Sequence, residues 1–229
     1  MTSPLFIIVP VLNEQAAIEQ RLEYLLKINE MTPIIFVDGN STDQTVRLLS
    51  KNNFNVVVSP ATGRGAQLSY GVSQTPESCK YIVILHIDTQ LPANYEQSIQ
   101  NALEAHNWGR FKVNLDSNRM IYKIIEFMMN LRSKWTSIAT GDQAIFLRKE
   151  IFLTYSSDVI AHPLMEDIFL SKQLKKNHGK AYIVKTPIVT STRYWSKHGV
   201  IRTILNMWRY RFMYFCGISP QKLYHMYYR

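Results

Sequence analysis

Carboxylate and amide side chains stand at four places in this chain where they could do chemistry: Asn13-Glu14, Asp38, Asp88 and Glu166-Asp167. Asp88 is the most informative, because it closes a short apolar run from Tyr81 that ends abruptly in His86-Ile87-Asp88-Thr89. Such a run is the pattern of a central strand buried on both faces. Ligands of open α/β sheets collect beyond the carboxyl ends of the strands. We therefore read Asp88 as the centre of a metal and diphosphate site, with His86 able to join as a neutral ligand. Its oxygen atoms suit a hard divalent cation such as Mg²⁺ or Mn²⁺. The alternative is a plain turn, since Asp88 and Thr89 stand shortly before Pro92. Each of the other positions, taken alone, also fits a cap or a turn. Their joint placement on alternating elements is what argues for a site.

The elements that must position these groups follow from the apolar spacing. A strand is predicted over 5–12, with Asn13 as the N-cap of the next helix and Glu14 in its first turn, where negative charge suits the helix dipole. Ile34–Val37 forms a second strand, ending in Asp38-Gly39-Asn40-Ser41-Thr42-Asp43, a turn-forming cluster that caps a helix over 44–51. A third strand spans Asn55–Ser59. The glycines of Gly63-Arg64-Gly65 permit close backbone approach to a ligand, yet Leu68 stands where a dinucleotide fingerprint has its third glycine. With a fourth strand over 81–88 and a helix over 93–106, strands alternate with helices, which implies a parallel, doubly wound sheet.

Beyond Trp108 the pattern changes. Gly109–Leu115 alternates like a half-exposed strand, and Ile121, Ile124, Ile125 and Met128 mark a helix whose apolar side is expected to pack on the core. Gly141-Asp142-Gln143 leads into a strand at 144–147. Residues 155–163 are rich in small and polar types and are expected to be a loop that lines the acceptor pocket. A helix from Glu166 to about 176 and a last strand, Tyr182–Thr190, complete the series.

A chain of 229 residues with 46% apolar content supports one core. Its two cysteines, Cys79 and Cys216, make neither a disulfide framework nor a zinc cluster, so a reducing, cytoplasmic setting is expected. The first residues lack a signal-peptide pattern, and no apolar stretch is long enough to span a bilayer. The net charge of +9 is unevenly spread, with no Asp or Glu after Asp167. That asymmetry implies an anionic partner: a phosphate-rich ligand, an acidic lipid surface or nucleic acid. In the segment 199–217, Ile201, Ile204, Leu205, Trp208, Phe212 and Phe215 keep helical spacing beside Arg202, Asn206 and Arg209, while Arg211 breaks the apolar side. The segment either packs on the sheet or lies on an anionic membrane, at the inner face. We accordingly divide the chain into a domain over 1–197 and a C-terminal basic, aromatic extension over 198–229.

Taken together and in order, seven motifs resemble the family 2 glycosyltransferases of GT-A fold: Val9-Pro10-Val11-Leu12-Asn13-Glu14, the segment Val37 to Thr45, Gly63-Arg64-Gly65, His86-Ile87-Asp88-Thr89, Gly141-Asp142-Gln143, Met165-Glu166-Asp167 and Arg193-Tyr194-Trp195. The sequence is most similar to a compact bacterial subgroup, sometimes linked to arsenosugar biosynthesis. The resemblance implies an α/β, Rossmann-like single domain with a mostly parallel central sheet and a helical extension. It implies an inverting transfer of sugar from a nucleoside-diphosphate-sugar to an acceptor hydroxyl, on a small molecule or a lipid-linked one. Pro10, Glu14 and Asp38 would surround the nucleobase and ribose, with Arg64 and Gly65 nearby. Asp88 would hold Mg²⁺ or Mn²⁺, His86 standing where the family often has an aspartate. Asp142, Gln143, Glu166, Arg193 and Trp195 would bind substrate, Arg193 at the leaving group, and Asp167 would be the general base.

Two other readings compete. A nucleotidyltransferase also uses aspartates and a metal, but wants a glycine-rich phosphate loop where Asn13-Glu14 stands. A nucleic-acid-binding protein would suit the basic aromatic tail and leave the ordered carboxylates unexplained, so no nucleic acid is expected as a partner.

Overall fold

A computed structural model describes residues 3–228. The first half of the chain alternates strand and helix: β1 (Leu5–Val11), α1 (Gln15–Met31), β2 (Ile34–Asp38), α2 (Thr45–Lys51), β3 (Asn55–Val58), α3 (Arg64–Ser73) and β4 (Tyr81–Ile84). A two-residue strand, β5 (Thr89–Gln90), precedes α4 (Tyr95–Ala105), β6 (Trp108–Leu115) and α5 (Met120–Thr136). A 3₁₀ turn at Gly141–Gln143 leads to β7 (Ile145–Arg148), α6 (Lys149–Ile160), α7 (Glu166–His178) and β8 (Tyr182–Thr190). The chain then continues through α8 (Arg193–His198), α9 (Val200–Phe215) and α10 (Pro220–Tyr227).

All eight strands form one sheet in the order β3-β2-β1-β4-β7-β6-β8-β5. β1, β2, β3 and β4 run parallel, as do β6 and β8, but β7 is antiparallel to both neighbours and β5 is antiparallel to β8. The sheet is thus parallel over β1–β4, as the alternation implies, and mixed beyond, with β7 and β5 antiparallel. Strand alternation loads both faces: Leu5, Ile7, Val9 and Val11 enter one apolar core, Phe6 and Ile8 the other. From β1 the chain winds outward to β3, then crosses to β4 on the other side of β1. The resulting switch point aligns the carboxyl ends of β2, β1 and β4, where a crevice forms.

Several local readings change once tertiary contacts act. Asn13 is no N-cap: it is left-handed at φ 54°, and its side-chain oxygen accepts a bond from the Thr42 amide at 2.8 Å. The first amides of α1 are instead satisfied from the β2–α2 loop, with Glu14 N donating to Thr45 Oγ1 at 2.8 Å and Gln15 N to Asp43 Oδ2 at 3.1 Å. Glu14 is thereby freed from helix capping. The 155–163 stretch is mostly helix, because Ile151, Phe152 and Val159 of α6 are buried in the core shared with α3, and that burial overrides the propensity of Ser156-Ser157-Asp158. α5 is rotated in part: Ile125 is buried as expected, joined by Tyr122, while Ile121, Ile124 and Met128 face out. β4 stops at Ile84, and Asp88 lies in a turn closed by Thr89 N donating to His86 O at 2.9 Å.

Candidate active site

Glu14, Asp88 and Arg193 meet beyond the ends of β1 and β4. One Arg193 Nη donates to Glu14 Oε2 at 3.1 Å and to Asp88 Oδ2 at 3.2 Å. Arg193 begins α8 directly after β8, so the far strand of the sheet delivers a cation to the switch point. Burial raises Glu14 above the usual carboxylate range; the bond from Arg193 pulls it down and the Asp88 charge pushes it up. The Arg21 guanidinium fixes the turn from behind by donating to the Asp88 carbonyl. His86 Nδ1 accepts from Asp88 N at 3.3 Å and lies 3.9 Å from Asp88 Oδ2. Burial, then the charges of Arg64, Arg193 and Arg21, push His86 down to about 3, so its ring is neutral at pH 7.

Across the crevice, Arg64 at the start of α3 donates Nε to Glu166 Oε1 at 2.7 Å. Glu166 is buried, and burial and the neighbouring Asp167 charge push it up to about 7 against the pull of Arg64. Asp167 is half-buried; its Oδ2 accepts from Gly141 N at 2.9 Å and its Oδ1 from Ile168 N at 2.7 Å. These bonds leave it as the open carboxylate of the pair. Met165 precedes the helix in the left-handed region at φ 66°, a conformation costly for a side chain of this size.

Other expected site residues do not point outward. Asp38 is 1% exposed; its Oδ2 accepts the amides of Asn40 and Ser41 at 2.9 Å and its Oδ1 the Ser41 hydroxyl, so it shapes the loop. Pro10 is buried within β1 opposite Val37. Gly65 approaches protein and not open space, since a Cβ there would stand 2.0 Å from the Val159 carbonyl; at Gly63 it would meet Pro163 at 2.3 Å. Gln143 is fully buried and accepts from Thr140 N at 3.1 Å. Trp195 packs against the core, and Asp142 takes the Thr140 hydroxyl.

Sequence reasoning missed two contributors. Gln67, buried on α3, donates to Val11 O at 2.8 Å and Val37 O at 2.7 Å, tying together the ends of β1 and β2. Tyr228, just past α10, is held above the usual tyrosine range by burial, with the charges of Arg64, Glu166 and Glu14 also acting on it. A Gln after a glycine-rich turn is a usable signal for the first; nothing in the sequence signals the second.

Among the described residues no three His, Cys, Asp or Glu side chains cluster to hold a metal. Asp88 and neutral His86 nonetheless fit a hard cation of the kind bound by one or two protein groups and completed by substrate phosphate oxygens and water.

Residues 6–154 match the profile of glycosyl transferase family 2. The chain belongs to that family. This glycosyltransferase shares its fold with S. aureus TarS (residues 1–349), at TM-score 0.61 and 18% identity over 84% of this chain. It also matches glucosyl-3-phosphoglycerate synthase from Mycobacterium tuberculosis, in complex with Mn²⁺, UDP-glucose and phosphoglyceric acid, at TM-score 0.60 and 16% identity over 94% of this chain and 80% of that one. The family 2 chain spans 61% of the length of the TarS structure. No curated protein matches it. The architecture is thus the GT-A one.

Proposed function

We propose that this glycosyltransferase moves a sugar from a uridine-diphosphate-linked donor to an acceptor hydroxyl, with inversion at the anomeric carbon and the help of a divalent cation. The observation that carries the reading is Arg193, a guanidinium between Glu14 and Asp88 where the switch point opens. It can turn from those carboxylates to the diphosphate oxygens as the donor arrives, and neutralise charge that develops on the leaving group. The synthase complex with UDP-glucose and Mn²⁺ supports the donor class and the cation. Asp88 and His86 would hold that cation, which supplies further charge neutralisation at the diphosphate.

Asp167 takes the proton of the acceptor hydroxyl as that oxygen attacks the sugar from the face opposite the diphosphate. Glu166 is buried against Arg64 and cannot reach a substrate, so it acts by positioning Arg64 and the start of α7. A single displacement of this kind inverts the anomeric centre. The test is calorimetric titration of UDP with Mn²⁺ and with EDTA, in the wild type and in Asp88→Asn. Cation-dependent binding that the substitution abolishes is expected; UDP binding with equal affinity in EDTA would sink the cation's role, and no UDP binding at all would sink the donor assignment.

The same reading assigns residues 198–229 to an extension that meets an anionic bilayer. No described helix is long and apolar enough to cross one. Trp208 and Phe212 of α9 are 68% and 69% exposed, and Phe127 and Trp135 of α5 are 63% and 74% exposed. The exposed Arg202 and Arg209 accompany them, and α8, α9 and α10 contain no acid, so the charge is complementary to acidic headgroups.

A further inference from the structure

Three arginines, Arg110, Arg132 and Arg211, lack carboxylate partners among the described residues. Arg110 of β6 is 1% exposed; one Nη donates to Phe111 O at 2.9 Å, and its Nε has no partner. Arg132 of α5 is half-buried and reaches Thr140 Oγ1 at 3.5 Å. Arg211 of α9 is half-buried, whereas Arg202 and Arg209 of the same helix are exposed. None of the three is in an ion pair among the described residues. Their charges act on one another: burial and then Arg132 push Arg110 down to about 10, and burial and then Arg211 push Arg132 down. Asp142 and Asp167 are the carboxylates whose charges reach Arg132.

Contacts link Arg132 to the candidate base. Asp167 Oδ2 accepts from Gly141 N, Thr140 precedes Gly141, and the Thr140 hydroxyl faces both Arg132 and Asp142 Oδ1. Ser133 Oγ and Gln143 Nε2, beside Arg132 and Asp142 in sequence, are also buried without partners. Burying guanidinium groups against only the charges of Asp142 and Asp167, neither of which forms an ion pair with them, is destabilising. A ligand anion removes that penalty, and the planar fork of arginine matches a phosphate or a carboxylate.

We propose that Arg132 and Arg211, backed by Arg110, bind an anionic group of the acceptor, a phosphate or carboxylate, one 3₁₀ turn from Asp167. The proposal rests on the reading of Asp167 as the base on the acceptor side. It gives a reason for Arg211, which interrupts the apolar side of α9: that helix supplies a ligand-binding cation as well as an apolar surface. The anion belongs either to a soluble metabolite or to a lipid headgroup, which share this chemistry.

The experiment titrates two probes, sn-glycerol 3-phosphate in solution and vesicles containing phosphatidic acid, into protein preloaded with UDP and Mn²⁺ so that the donor's phosphate site is filled. Glycerol and neutral vesicles are the uncharged comparisons. Arg132→Gln and Arg211→Gln should each weaken at least one charged probe by about tenfold or more, the loss expected for a charge-assisted bond. Lys27→Gln, on the exposed side of α1, should leave that probe unchanged, and Arg132→Lys should recover part of the affinity. The probe that responds identifies the soluble or the lipid source. UDP titration of the same variants reports the donor site separately, and if UDP does not bind, the probes are titrated without it and the comparison among variants still decides. Wild-type protein that binds neither charged probe, or that binds glycerol equally well, overturns the proposal. So does equal binding of both probes by the Arg132, Arg211 and Lys27 variants.

Discussion

Replacing Asp167 with Asn removes the proton acceptor while keeping the shape of the side chain. General-base catalysis contributes at least about 10²-fold, so turnover should fall by that factor or more. The structure also sets the cost to the fold. Asp167 presents two oxygens to two amides, Gly141 N and Ile168 N, and Asn has one oxygen, so one amide loses its acceptor. An unpartnered amide costs about 1–3 kcal/mol, and the half-exposed position keeps this to the lower part of that range because water can reach it. With the lost charge in the first turn of α7, worth about 0.3–1 kcal/mol, the total is about 1–2 kcal/mol. For a chain of this length that lowers Tm by about 2–8 °C, leaving the variant folded at 25 °C. The assay is UDP release from UDP-glucose, with the best acceptor from a screen of alcohols and phosphorylated alcohols, beside calorimetric titration of UDP. Turnover within tenfold of wild type for Asp167→Asn, together with loss in Glu166→Gln, would refute the reasoning and move the base one residue back, about 100° around the helix.

Three further outcomes follow from the same geometry. Gly65→Ala should destabilise the fold by about 3 kcal/mol or more, because the added Cβ meets a backbone carbonyl at 2.0 Å and neither helix can yield cheaply; an unchanged denaturation midpoint would show that α3 and α6 are not in this contact. Glu166 is raised in the fold, so the stability it contributes is complete below about pH 4.5 and is lost as pH rises through about 7. Glu166→Gln, which cannot ionise, should therefore gain on wild type across that interval in chemical denaturation, and parallel pH profiles would contradict the burial argument. Changing Trp208 and Phe212 together to Ser should abolish salt-sensitive sedimentation with anionic vesicles, and wild-type protein that stays in the supernatant with anionic and neutral vesicles alike at low salt would remove membrane contact.

The sequence by itself determined the elements whose signal is local. Runs such as Leu5–Val11 and Tyr182–Thr190 specify strands because short apolar runs rich in β-branched side chains need no distant partner to be recognised. It also marked Asp88, Glu166 and Asp167, since an acid that ends an apolar run or opens a helix interrupts a pattern. Only the tertiary structure decided where the acids point. Glu14, expected in the first turn of α1, pairs with Arg193, 179 residues away, while side chains of the β2–α2 loop take the helix amides. Asp38 and Gly65 carried a site-like signature yet serve the loop and the helix packing, since hydrogen-bond partners and steric neighbours are properties of the folded chain. Orientation was only partly visible: the spacing of Ile121, Ile124, Ile125 and Met128 defines an apolar side of α5 but not its exact facing, and of these only Ile125, with Tyr122, is buried in the core. Periodicity is a property of one helix, whereas burial is decided by the space its neighbours leave.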